Sequence, residues 1–137
     1  VMEVADHPDA GGPSSTFPSA SITSLTYIGA SRAVPGYGIM GAAKASLESS
    51  TRYLAHELGP RGVRVNCVSA PPLNTLSARG IPGFKAMQRA AEERSFLPDA
   101  VTHDQVADVA TFLASDAARA ITGQVLHADA GFGESAF

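Results

Sequence analysis

The chain has 137 residues, 45% of them apolar, and a formal net charge of −3. That suits one packed domain, or half of a larger one, and argues against disorder. Ten Lys plus Arg against 13 Asp plus Glu leave no basic face for a nucleic-acid partner. The single cysteine, Cys67, excludes a disulfide framework and a Cys-rich zinc site. No apolar run approaches the ~18 residues of a membrane span. Glu3, Asp6 and Asp9 stand where a signal peptide would be basic. The expectation is a soluble, metal-free protein of a reducing compartment, the cytoplasm.

Residues 1–20 are rich in Gly, Pro and Ser and read as a loose lead-in to a unit spanning 21–137. Ser21 to Gly29, β-branched and aromatic, predicts a strand. Tyr37 to Leu58 predicts a long helix whose apolar face is Met40, Ala43, Leu47, Leu54 and Leu58. Gly59, as a left-handed cap, and Pro60 stop it. Val63 to Ser69 starts in strict alternation and predicts a second strand. Pro71-Pro72 opens an irregular loop to about Pro82. Phe84, Met87, Ala90 and Ala91 suggest a short amphipathic helix before Pro98. Thr102-x-x-Gln105 is a capping box for a further helix carrying Val106, Val109, Ala110 and Leu113. Gly123 to Ala128 predicts the last strand. Strands alternating with helices imply an α/β fold of three parallel strands with flanking helices. So thin a parallel sheet reads as the C-terminal half of a doubly wound, Rossmann-like fold. No Gly-x-Gly-x-x-Gly is expected anywhere in the chain, so the glycine-rich fingerprint of a first half reads as missing, with Gly29 and Gly36 as turn glycines without that spacing.

Tyr27, Tyr37 and Lys44 are the candidate chemistry. Tyr37 opens the long helix and Lys44 follows seven positions later, so both share one helical face. A nearby ammonium favours the phenolate and makes the tyrosine a better proton donor. Tyr27 ends the first strand at the carboxyl edge, where open α/β sheets bind ligands. On spacing alone, a half-buried aromatic pair beside a solvated lysine is the alternative. Ser24 reads as an ordinary strand serine. Cys67 reads as a small buried hydrophobe, and Asp129 as a turn residue. His103 and His127 lack metal-ligand spacing, and His56 lies on the polar side of its helix.

The pattern Tyr27-x9-Tyr37-x6-Lys44 resembles the active-site signature of bacterial and plastid enoyl-acyl-carrier-protein reductases. These form a divergent branch of the short-chain dehydrogenase/reductase superfamily. Leu25 to Ala30, Pro35 to Glu48, Leu58 to Asn66 and Ala120 to Val125 continue the likeness, which runs from about Ser21 to Phe132. Ordinary members of the superfamily place lysine four residues after tyrosine, where this chain has Gly41.

The resemblance implies hydride transfer from NADH to a trans-2-enoyl thioester on acyl carrier protein, in fatty acid biosynthesis. Tyr37 would stabilise the enolate oxygen, Lys44 would hold the nicotinamide ribose, and Tyr27 would sit beside the substrate. Leu73 and Thr75 match cofactor-contacting positions. Ile81, Phe84 and Met87 match the substrate-binding segment, within a loop at about 71–98. The full-length family implies a homo-oligomer. The resembling proteins usually have glycine at Pro71, where proline removes an N–H. The chain alone is expected to be inactive. The rival readings are a non-catalytic remnant serving as an interaction module, and a carbonyl reductase of the same superfamily.

Overall fold

The computed structural model describes residues 20–76 and 78–135. The lead-in expected over 1–20 lies outside them except for Ala20, which begins the first strand. The strands are β1 (Ala20–Thr26), β2 (Val63–Ser69) and β3 (Val125–His127). The helices are α1 (Gly38–Leu58), α2 (Phe84–Arg94) and α3 (His103–Ala114). The sheet order is β1-β2-β3, with both pairings parallel.

The centre of the sheet is β2, buried from Arg64 through Ser69. Successive strand residues point to opposite faces. Cys67 meets Thr51 of α1, whereas Val68 packs with Val106 and Leu113 of α3. The two helices therefore cover opposite faces, giving three layers. The alternation seen in Val63-Arg64-Val65-Asn66 does not mean one wet face, because Arg64 and Asn66 are buried too. Arg64 donates to the Ser115 carbonyl at 3.2 Å. The Asn66 amide donates to the Ile121 carbonyl at 2.9 Å and accepts from Gln124 N at 3.0 Å. That side chain takes over pairing from the ladder, so β3 is regular only from Val125 rather than from Gly123.

Two further boundaries differ from expectation. β1 stops at Thr26, and the chain turns tightly over Ile28–Ala30 instead of remaining extended to Gly29. Gly59 is right-handed, with φ −53°, and the left-handed residue is Gly62, with φ 76°. Lacking a Cβ, Gly59 is not pushed out of the helical region by Pro60, so the helix tightens through Gly59–Arg61 before reversing. The capping box of α3 is present, with Gln105 N donating to Thr102 Oγ1 and Thr102 N to Gln105 Oε1.

The largest correction concerns α1. Its fully buried residues are Gly41, Thr51 and Ala55, not the predicted apolar row. Met40 and Leu54 are 44% and 40% exposed. The face on the sheet is small and polar, and its hydrogen bonds explain why. Lys44 Nζ donates to the Leu25 carbonyl at 2.8 Å, Thr26 Oγ1 donates to Glu48 Oε1 at 2.7 Å, and Thr51 Oγ1 lies 3.0 Å from Cys67 Sγ.

Candidate functional site

A cleft of about 600 Å³ opens at the carboxyl edge of β1 and β2. Its walls come from the end of β1, the start of α1, the loop after β2 and the start of α2. All eight residues singled out from the sequence line it: Tyr27, Tyr37, Lys44, Leu73, Thr75, Ile81, Phe84 and Met87.

Tyr27 is the first residue beyond β1, in extended backbone (φ −149°, ψ 152°), and its carbonyl accepts from Ala30 N. Tyr37 immediately precedes α1 and sits at its cap position. Both side chains are buried, with ring centroids 5.0 Å apart and planes at 77°. Such edge-to-face pairs add ~0.5–1.5 kcal/mol beyond area burial. Val34, Ile81, Met87 and Phe132 pack around the pair with Ile28.

Burial pushes the Tyr27 phenol up to about 12, with Tyr37 as the lesser cause. Burial also raises the Tyr37 phenol. This corrects the expectation that Lys44 would favour the phenolate. Lys44 Nζ donates one bond to the Leu25 carbonyl, and desolvation of the rings prevails. At neutral pH both tyrosines are hydrogen-bond donors.

Leu73 and Thr75 lie in the loop after β2. The Thr75 hydroxyl oxygen accepts from Ala78 N at 3.1 Å, capping the tight turn Ala78–Gly80. Phe84 and Met87 stand on the partly buried side of α2, beside Ile81 and Pro82. Pro71 also lines the cleft.

A scan against family models matches residues 12–133 to the family described as Enoyl-(Acyl carrier protein) reductase. The chain belongs to this family. Among curated relatives, the NADH enoyl-[acyl-carrier-protein] reductase FabI of Bacillus cereus is 49% identical over 112 residues, covering 82% of this chain and 44% of the relative. That of Escherichia coli is 46% identical over 115 residues, covering 84% and 44%. The chain therefore spans less than half the length of these relatives. A crystal structure of the Bacillus cereus reductase, with NADP+ and indole naphthyridinone, superposes with a TM-score of 0.82 at 47% identity, covering 86% of this chain and 46% of that one. The Aquifex aeolicus NADH reductase gives 0.83 at 42%, covering 87% and 46%.

One expectation about glycines needs correcting within this reductase segment. Gly36-Tyr37-Gly38-Ile39-Met40-Gly41 does carry Gly-x-Gly-x-x-Gly spacing. A dinucleotide fingerprint runs directly from strand to helix. Here β1 has already ended at Thr26 and an irregular stretch intervenes before α1. Gly41 instead faces the Gly29 carbonyl, and Gly38 has open space around it.

Several residues escaped the sequence reading. Met40 and Gly36 line the cleft, and Thr26 with Glu48 ties α1 to its rim. The signal for Gly41 was available: a glycine inside a helix costs ~1 kcal/mol and needs a packing reason. Ser24 lies 3.0 Å from Cys67 Sγ and stays out of the cleft. Asp129 accepts from Gly131 N and Gly133 N at 3.0 Å each, the structural role expected of it. No group of three or more possible metal ligands occurs among the described residues.

Proposed function

We propose that the protein containing this chain reduces trans-2-enoyl thioesters on acyl carrier protein with NADH, in fatty acid biosynthesis. The observation that carries this reading is the convergence of Tyr27, Tyr37 and Lys44 with an apolar wall on one cleft at the carboxyl edge of a parallel sheet.

The cleft suits the nicotinamide end of a dinucleotide. An ammonium has three donors, and Lys44 uses one on Leu25, leaving the others for ribose hydroxyls. Leu73 and Thr75 line the same cleft and would hold the cofactor's neighbouring atoms. When bound, NADH supplies the hydride. Tyr37, kept protonated by burial, would donate to the thioester oxygen. That bond strengthens as negative charge develops there, which is how a donor lowers a barrier. Tyr27 supports the Tyr37 ring and faces the substrate. Ile81, Phe84 and Met87, with Met40, form a wall suited to an acyl chain.

The adenosine end would be held by residues beyond those described. The exposed Ile39, Tyr53 and Leu54 of α1 suit contact with a second copy, so the working form would be a homo-oligomer. Among the described residues no helix is long and apolar enough to cross a membrane. The same exposed residues favour the rival reading of an interaction module.

The deciding experiment is NADH calorimetry on this chain, with and without a supplied N-terminal half, followed by crotonyl-CoA turnover in the complete enzyme. Tyr37→Phe should lower kcat by about 100-fold or more while moving KM little. Unchanged turnover would remove Tyr37 from the reaction. No NADH binding even with the N-terminal half present would favour the interaction module.

A further inference from the structure

Two glycines meet beside Tyr37, one in the turn after β1 and one in the first turns of α1. A Cβ on Gly41 would lie 2.7 Å from the Gly29 carbonyl oxygen. A Cβ on Gly29 would lie 2.6 and 2.9 Å from Cδ1 and Cε1 of Tyr37, and 3.2 Å from Cδ1 of Tyr27. Cβ atoms essentially never come within 3.0 Å of such neighbours. The helix can therefore reach the Gly29 carbonyl only because position 41 lacks a side chain, and the turn can lie against the Tyr37 ring only because position 29 lacks one. Gly41 N also donates to the Tyr37 carbonyl at 2.6 Å, so one residue holds the Tyr37 main chain and admits the turn that bears on its ring. Gly38, in the same helix, has nothing within 4 Å of its Cβ position. Close approach is thus particular to position 41, and it occurs where glycine is a poor helix former.

We propose that Gly29 and Gly41 are positioning residues for Tyr37. Their contact seats the ring edge-on to Tyr27 and so sets where the hydroxyl enters the cleft. The same contact bars a lysine from the position four residues after Tyr37, because any Cβ there would strike the Gly29 carbonyl. The cleft's cation must then come from Lys44. The inference rests on the reading of Tyr37 as the group that holds the substrate oxygen. Its test reads the place of the ring rather than turnover, so either can fail without the other.

The test is NMR titration of the full chain with ¹³C-labelled tyrosine, comparing the parent with Gly29→Ala, Gly41→Ala and the control Gly38→Ala. With Gly29→Ala the Tyr37 ring should leave its seat and open Tyr27 to water. Tyr27 should then titrate lower, by about one unit, and Tyr37 should fall too. Gly41→Ala should move both in the same direction. Tyr53, which is 68% exposed, should not move, and Gly38→Ala should move none of the three. A folded Gly29→Ala chain with unchanged Tyr27 and Tyr37 titrations overturns the proposal. If Gly29→Ala does not fold, Tyr37→Ala is added to remove the ring it strikes. Recovery of the folded state in the double variant supports the proposal, and no recovery overturns it.

Discussion

Tyr27 should make this chain lose stability steeply above pH 10. Its side chain is 7% exposed, and burial pushes the phenol up to about 12. In the unfolded chain a tyrosine titrates near ~10. Between those values the unfolded state has released the proton and the native state still holds it. Unfolding then releases a proton, and rising pH favours it. The stabilisation is complete below pH ~10 and is lost as pH climbs through ~12. A shift of about two units corresponds to about 3 kcal/mol, against a typical total of ~5–15 kcal/mol. Tyr37, raised by the same cause, acts in the same direction. Tyr27→Phe keeps the ring and its edge-to-face contact but removes one titration. Urea denaturation of parent and variant at pH 8, 10, 11 and 12 measures the difference. The two should share a similar slope up to pH 10, and the variant should then hold its stability better by 2–3 kcal/mol, roughly, at pH 12. The same pH dependence in both would refute the reasoning, because Tyr27 would then titrate no differently in the native and unfolded states.

Other perturbations have equally definite outcomes. Asn66→Ala removes the side chain, itself fully buried, that pairs the half-buried Ile121 carbonyl and the Gln124 N–H; with both groups partly open to water, urea denaturation at pH 7 should show a loss of about 1–3 kcal/mol. Ala130 is the one non-glycine residue with positive φ among those described, at 54°. Ala130→Gly should therefore raise Tm, because the left-handed conformation costs a residue with a Cβ ~1–2 kcal/mol, partly offset by the freer unfolded chain. Gly131→Ala should lower Tm, since Gly131 is left-handed at φ 84° and its Cβ would meet the Phe96 ring. NADH should bind this chain alone at least 100-fold, roughly, more weakly than it binds the complete enzyme: contacts to the charged pyrophosphate are worth ~1.5–3 kcal/mol each, and calorimetry on both would show it.

Much of this architecture was legible because it depends on local rules. The capping box at Thr102 and Gln105, the parallel order of three strands, and the placing of Tyr37 and Lys44 on one helical face with Tyr27 at the end of the first strand follow from period, punctuation and the geometry of βα units; their grouping as one site comes from the resemblance. What was not legible is which side of α1 faces the sheet. Its apolar residues form a clear row at helical spacing, and such a row normally marks the core side. Here the core side is Gly41, Lys44, Glu48, Thr51 and Ala55, chosen by partners the helix cannot foresee. They are the Gly29 and Leu25 carbonyls, the Thr26 hydroxyl and the Cys67 thiol. These partners come from strands and turns remote in sequence, and each bond needs a particular atom at a particular height on the helix. The short β3 has a similar cause, since the Asn66 amide displaces part of the ladder.

The protonation state of the site was beyond the sequence for a related reason. Spacing places an ammonium and a phenol on one helical face, and Coulomb's law then favours the phenolate. The opposing cost of burying a charged ring depends on what surrounds it. Around Tyr27 and Tyr37 stand Val34, Ile81, Met87 and Phe132, brought in by the turn after β1, the loop after β2, α2 and the C-terminal turn. Meanwhile the ammonium gives one of its donors to a strand carbonyl. Desolvation prevails, and both hydroxyls keep their protons. A protonated donor is what developing negative charge on a thioester oxygen requires, whereas a phenolate would repel it. In the proposed reaction Lys44 would fix the end of β1 and present its remaining donors to the cleft, rather than lower the pKa of the tyrosine.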